Sequence, residues 1–437
     1  MKKTELNEFY EILDRINEIQ LLGLSDFRIG QVNSQMLYMH YMENRDTIQY
    51  KRDVVKRIIF RCFTKLYKVE IMGKAQTVFF VARNNSAFRK DHLENVRKAA
   101  NLLKNRALVY GTVNEGHTLK RIYTLVLPVI WAVQLHKKIK SWLLCWQMSS
   151  NTYFDYIDYL EFKEYEKNYY PNAEGVVLLS ETHPASQFVG QYYKNKGNTT
   201  VALMHSLMSK GNVERMLVYN SICDYIISYS EYATKMAELR LYDRYKKGIY
   251  ELGMLQFINS KLEKRKITTV KRIGVFLDGM SGKSLHSNLK MIQIAIDSFQ
   301  DKDVEIFVKC HPSATCEEID FWKSNIVSER AVNFYTTEVL SLELEKSTDV
   351  MILRNTNCFM EGIYQCIPTF IFNMEPVDFK NIPEDIFFSS SEELSGQIKK
   401  ISTGEMERVL DRLRVYLCGN DNPEFYYKSF FGDLGWE

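Results

Sequence analysis

Residues 272–279 read Arg-Ile-Gly-Val-Phe-Leu-Asp-Gly, and Leu285 to Phe299 follow with apolar residues at helical spacing. A short β-branched and aromatic run that ends in a glycine turn before a helix is the opening unit of a buried parallel sheet. Downstream the pattern recurs in VEIFVKCH (304–311), DVMILRN (349–355) and IPTFIFN (367–373). Upstream lies an earlier series: TVFFVAR (77–83), ALVYGTV (107–113), GVVLLS (175–180), TTVALMH (199–205) and DYIISYS (224–230). The polar, Lys-rich stretch NSKLEKRKITTVK (259–271) separates the two and predicts a domain boundary. Two such series predict an α/β protein of two doubly wound domains facing a cleft, with ligands at the carboxyl ends of the strands.

Ahead of the first strand series, Leu6, Phe9, Leu13 and Ile16 recur at helical spacing, and residues 51–68 repeat the pattern with a basic face. The expected organisation is a helical, basic N-terminal extension over 1–70 and two Rossmann-like domains over 71–258 and 265–437. The length of 437 residues suits this division, because single cores stop growing near 250–300 residues.

Composition excludes several classes. Charged residues make up 25% of the chain and hydrophobic ones 46%, which rules out a disordered polymer. The formal charge of +3 hides a division: residues 1–150 hold 25 Lys+Arg against 13 Asp+Glu, a net of +12, and the remainder holds 32 against 41, a net of −9. Eight dispersed cysteines lack the CxxC spacing of zinc or redox sites, so reduced cytosolic thiols are expected. The first twenty residues alternate charge and apolar character, unlike a signal peptide. The most hydrophobic stretch, Ile122 to Leu135, has 14 residues and contains Pro128, short of the roughly 20 that span a bilayer.

The turn after 272–279 reads Asp278-Gly279-Met280-Ser281-Gly282-Lys283-Ser284. It is not a Walker A loop, which needs Gly where Leu277 stands. Its backbone N–H groups can still receive a diphosphate, with Lys283 as countercharge; the alternative is a tight turn that merely needs glycine. The next strand ends in Lys309-Cys310-His311-Pro312, and a histidine there can bind or protonate a leaving phosphate. Asn355, Thr356 and Asn357 precede a helix that carries Glu361. Such groups cap the helix and can also bond phosphate, and Glu361 can accept both hydroxyls of a ribose. In the first domain, strand ends lead to Glu115, His183 and His205, each a candidate general base.

These motifs resemble GT-B glycosyltransferases of bacterial surface polysaccharide synthesis, specifically the capsule, sialyl/polysialyl and CDP-glycerol-type transferases. The likeness rests on Lys309, His311 and Pro312 as a Lys-x-His-Pro strand end, and on the polar turn Asn355–Asn357 with Glu361 and Gln365-Cys366-Ile367-Pro368. Asn114-Glu115-Gly116 is similar to an acidic-acidic-Gly motif with its first acid lost, and His205-Ser206 to a His-Gly motif. The likeness spans roughly residues 175–375 and fades before residue 70. It implies a metal-independent, cofactor-free enzyme that takes a nucleotide-activated sugar as donor and a glycan or lipid-linked glycan as acceptor. Asp278, Gly279, Ser281, Gly282, Lys283, Lys309, Pro312, Asn355, Thr356, Asn357 and Glu361 would hold the donor. Glu115 would be the base, with His183 and His205 as rivals, and His311 the phosphate ligand or acid. No metal-ligand spacing such as HExxH is present.

Residues 51–68 place seven basic residues among apolar ones, and QLHKKIKSWLLCW (134–146) sets three lysines beside two tryptophans. Attachment to an anionic surface at the inner face of the cell membrane is one expectation, packing of the apolar face on the first domain the other. Nucleic acid is not an expected partner, for lack of a recognisable motif. The alternatives to a glycosyltransferase are a polyol-phosphate transferase on the same scaffold and a non-catalytic membrane-surface assembly protein.

Overall fold

The computed structural model describes residues 3–34, 36–37, 54–83, 90–179, 183–204, 222–238, 248–259, 267, 269–279, 284–299, 303–311, 314–336, 339, 341–354, 356, 358–372 and 386–436. The chain forms two compact units. The first comprises residues 1–229, 233–259 and 422–437, and the second 230–232 and 260–421.

The sheet of the first unit contains β1 (Thr64–Met72), β2 (Thr77–Val81), β3 (Arg106–His117), β4 (Gly175–Leu179), β5 (Thr199–Leu203), β6 (Tyr225–Ser228) and β7 (Gly248–Glu251). Their spatial order is β1-β3-β2-β4-β5-β6-β7. All pairs are parallel except β1 with β3. The central strands β2 and β4 are buried at every residue, as near-continuous apolar runs require. The order reverses between β2 and β4, which makes their carboxyl ends a topological switch point.

The second unit holds β8 (Arg272–Phe276), β9 (Glu305–Lys309), β10 (Val332–Tyr335), β11 (Val350–Leu353), β12 (Thr369–Phe372) and β13 (Phe387–Phe388). Their order is β10-β9-β8-β11-β12-β13, parallel throughout. Counted within the unit this is 3-2-1-4-5-6, the Rossmann order, with its switch point between β8 and β11. Both units are therefore Rossmann-like parallel-sheet α/β structures, as the two strand series predict.

Two expected boundaries shift. Residues 64–70, assigned to the helical extension, form the start of β1, because Leu66 and Tyr67 bury against the sheet while their N–H groups donate to Glu161. Residues 422–437, assigned to the second domain, belong to the first unit. There Tyr427, Phe430, Phe431 and Trp436 enter the core formed by Phe79, Leu108, Val177 and Val201. Gly175 makes room for this return: a Cβ on it falls 2.0 Å from Cζ2 of Trp436.

The helix Val54–Phe63 buries Ile58 and Cys62, so part of its apolar face packs on the first unit, and it buries a basic residue with them. Arg61 is buried in an ion pair with Asp158 of the long helix Trp142–Tyr169, and Arg57 lies over the Phe154 ring at 4.7 Å. Val55, Ile59 and Phe60 are exposed instead. Among the described residues, no helix is long and apolar enough to cross a membrane.

Candidate functional site

Several of the proposed donor groups stand at the carboxyl edge of the second sheet, around its switch point. Asp278 follows β8 and is buried, with Oδ2 3.8 Å from Nη1 of Arg354, which follows β11. Its Oδ1 has no hydrogen-bond partner among the described residues. Asn288, in the first turn of the helix Leu285–Ser298, donates to the Asp278 carbonyl at 3.3 Å and fixes the strand end to the helix.

Gly279 carries the imidazole of His311. A Cβ built there meets Nδ1 at 2.1 Å and Cε1 at 2.3 Å, so the ring lies directly on the glycine backbone. The histidine is half-buried, and its position is set from behind. Cys310 N donates to Tyr335 O at 2.8 Å, Leu277 N to Lys309 O at 3.0 Å, and Ala314 N to His311 O at 2.9 Å. The ring therefore stands at the end of β9 against the end of β8, the strand that flanks the switch point with β11.

Lys309 has a different environment from the one its motif suggests. Its ammonium is buried and donates to Cys310 O at 3.2 Å and Thr336 O at 2.6 Å. Two of its three donors thus tie the ends of β9 and β10 together, and burial pushes its pKa down.

Thr356 precedes the helix Cys358–Tyr364, and its hydroxyl lies 3.5 Å from Cys358 N. One turn along, Glu361 hydrogen-bonds the fully buried carboxyl of Glu345, the last residue of the helix Ser341–Glu345. Gln365 donates to Glu345 Oε2 at 2.7 Å. One donor atom each from Glu345, Cys358 and Glu361 lies within 4.8 Å of the others, the one such group of three among the described residues. Holding a divalent cation there requires ionised carboxylates and thiolate. With no ion bound, burial, followed by the nearby Glu361 charge, pushes both the Glu345 carboxyl and the Cys358 thiol well up. In the ion-free site the Glu345 carboxyl is therefore biased toward its protonated form, beside Glu361.

In the first unit, Glu115 lies near the end of β3, beyond the last parallel pairing at Tyr110. It is exposed and pairs with Lys68 at 3.0 Å. His183 follows β4 and caps the helix Pro184–Asn195, its Nδ1 accepting from Ala185 N at 3.3 Å. The ring also hydrogen-bonds the backbone of Arg83 beyond β2, which joins the two strands flanking that switch point. Burial, with a smaller contribution from Arg61, lowers its pKa to about 4. His183 is therefore neutral at pH 7.

His205, Ser281, Gly282, Lys283, Pro312, Asn355 and Asn357 lie outside the described residues. Among those described, the second unit brings Asp278, Gly279 and His311 together at adjacent strand ends, and Glu361 joins Glu345 and Cys358. Glu115 and His183 belong to the other unit. Sequence reasoning passed over Arg354, Asn288 and Glu345. Arg354 stands in the motif and was readable as a strand-end cation; Glu345 and Asn288 have no local signal.

No family model matches the chain, and no curated protein matches it in sequence. Solved structures do match in fold. The UDP co-structure of MnaA from S. aureus aligns with a TM-score of 0.51 at 10% identity, covering 83% of this chain and 96% of that one. A UDP-GlcNAc 2-epimerase from Neisseria meningitidis, bound to UDP-GlcNAc, aligns with a TM-score of 0.50 at 11% identity, covering 83% and 99%. The lipopolysaccharide outer core galactosyltransferase WaaB aligns with a TM-score of 0.42 at 12% identity, covering 82% and 99%. At these identities the likeness is one of fold: the chain has the two Rossmann-like sheets of GT-B enzymes.

Proposed function

We propose that this chain is a GT-B glycosyltransferase that moves a sugar from a nucleotide-activated donor to a cell-surface glycan or lipid-linked glycan, without a metal or other cofactor. The observation that carries this reading is the imidazole of His311 seated on Gly279 beside the switch point of the second sheet. In this reading His311 donates to the leaving phosphate, and the missing side chain of Gly279 makes room for the ring that does so. Asp278, Thr356 and the loop through Ser281, Gly282 and Lys283 complete the donor site, with Pro312, Asn355 and Asn357. Lys309 braces it from beneath, through the two carbonyls it bonds. Glu361 accepts the ribose hydroxyls.

Glu115 takes the role of base, because it is exposed to an incoming acceptor while the Nδ1 of His183 is engaged in capping. The nucleotide-bound state of two fold neighbours, one with UDP and one with UDP-GlcNAc, supports a nucleotide-sugar ligand.

Thermal shift with UDP, CDP, CMP and GDP tests the donor site first. One nucleotide should stabilise the protein by about 2.7 kcal/mol at a hundredfold excess over its Kd. With that nucleotide's labelled sugar, product should appear on a glycan acceptor and persist in EDTA, and His311→Ala should abolish it with the fold intact. Response to no nucleotide favours the assembly-protein reading. Conversion of the nucleotide sugar without transfer points to the epimerase chemistry named for the Neisseria neighbour. Transfer of a polyol phosphate from a CDP donor replaces the sugar donor with the polyol one.

A further inference from the structure

The first unit exposes an apolar surface that its own core does not use. Of the twenty exposed large hydrophobic side chains among the described residues, eleven fall within 55–60 and 119–143. Scattered exposure of single residues is ordinary, but clustering of this kind marks an interaction surface. Val126, Val129 and Val133 recur at intervals of three and four as one stripe along the start of the helix Leu127–Ile139, and Ile122 is exposed in the 3-10 turn Ile122–Val126 that leads into it. Their exposures lie between 44% and 58%. Val55, Ile59 and Phe60 form a second exposed stripe on the helix Val54–Phe63.

The two stripes are held on neighbouring elements. Cys62 Sγ donates to Arg121 O at 3.0 Å, and Thr118 N donates to Phe63 O at 2.9 Å. Trp142, 56% exposed, closes the far end by stacking on His136 at 3.9 Å between ring centroids. On the helix 54–63, Arg61 turns inward to Asp158 together with Ile58 and Cys62, and Val55, Ile59 and Phe60 face outward.

Charge identifies the occupant. Residues 116–154 contain no Asp or Glu, while Lys120, Arg121, Lys137, Lys138 and Lys140 lie within them. Arg121 is buried against Glu161, and Lys120 pairs with Glu164 at 2.9 Å. Lys137, Lys138 and Lys140 are exposed at the end of the 126–133 stripe. An apolar stripe bearing Tyr123, Phe60 and Trp142, edged with lysines and free of carboxylates over this span, fits the boundary of an anionic bilayer.

We infer that this face inserts shallowly into an anionic lipid surface, with 122–133 and 55–60 in the acyl boundary and Lys137, Lys138 and Lys140 at the headgroups. The apolar rows, more than the basic face of residues 51–68, make the contact. The inference does not depend on the proposed activity.

Co-sedimentation of the full chain with vesicles tests it, using phosphatidylcholine alone and an equal-part mixture with phosphatidylglycerol. The chain should pellet with the mixed vesicles and remain in solution with the neutral ones. Val126→Asp combined with Val129→Asp, both at solvent-exposed positions, should abolish pelleting with an unchanged circular dichroism spectrum. Neutralising Lys137, Lys138 and Lys140 to Gln should weaken it about a hundredfold, roughly fivefold per lysine. Equal binding to both vesicle types, no binding to either, or pelleting of the Asp variant like the parent chain overturns the inference. So does a dimer in light scattering that the Asp variant converts to monomer, since a second copy would then cover the face.

Discussion

The His311 imidazole rests on the backbone of Gly279, with only 2.1 Å between Nδ1 and the place a Cβ would occupy. Gly279→Ala must therefore displace the ring, since the strand end behind His311 is pinned by the Cys310 and Ala314 hydrogen bonds. If His311 donates to a phosphate, the displacement forfeits a charged hydrogen bond of about 1.5–3 kcal/mol, or roughly tenfold to a hundredfold in nucleotide affinity. Titration calorimetry with the stabilising nucleotide measures this. Unchanged affinity in Gly279→Ala removes His311 from the phosphate site.

Glu345 and Glu361 share a hydrogen bond in which burial and the Glu361 charge raise the Glu345 pKa. A raised carboxyl pKa gives stability that is complete below the unfolded value and is lost as pH rises through the folded one. Glu345→Gln keeps a donor toward Glu361 and cannot titrate, so its stability should decline less than the parent's between about pH 5 and pH 8. Glu345→Ala should cost about 1–3 kcal/mol by leaving polar partners unsatisfied. Urea unfolding across that range checks both. Parallel profiles for the parent chain and Glu345→Gln would falsify the shared-proton pair.

The strands that decide the fold were legible because burial on both faces demands unbroken apolar runs, as in β2, β4 and β11. β7 and β10 escaped notice for the opposite reason. As sheet edges they are only partly buried, and their sequences GIYE and VNFY lack a sustained run. The site divides in the same way. His311 and Asp278 announce themselves by standing at strand ends, whereas Glu345 acquires its partner only through packing of two helices. The outward face of the helix 54–63 was illegible because Asp158, which draws Arg61 inward, lies 97 residues away.

The last residues of the chain complete the first unit's core, with Trp436 on Gly175 and the Phe431 ring 6.0 Å from Phe79 in edge-to-face contact. Trp436→Ala should destabilise that unit by about 3–5 kcal/mol, the usual cost of emptying a buried aromatic site. Gly175→Ala, which adds one methyl group against the indole, should cost about 1–3 kcal/mol by overpacking. Denaturant unfolding followed by tryptophan fluorescence reports Gly175→Ala, and circular dichroism reports Trp436→Ala. A loss below about 1 kcal/mol in both would deny the C-terminal segment a core role.

His183 joins the ends of β2 and β4 as a neutral ring whose pKa has fallen to about 4, chiefly through burial and then through Arg61. An unfolded histidine titrates near about 6.5, so below that pH the unfolded chain binds the extra proton first. The ring's contribution is therefore complete above about pH 6.5 and is lost as pH falls toward the folded value. His183→Asn retains an N-capping side chain without a titrating group. Stability of the parent chain should drop more steeply than that of the variant between about pH 6.5 and pH 4.5, with the two converging in slope above pH 7. Urea midpoints measured on both proteins across that interval check it. Equal acid slopes would mean that His183 becomes charged in the folded protein as readily as in the unfolded one, and the capping role assigned to its neutral Nδ1 would fail with it.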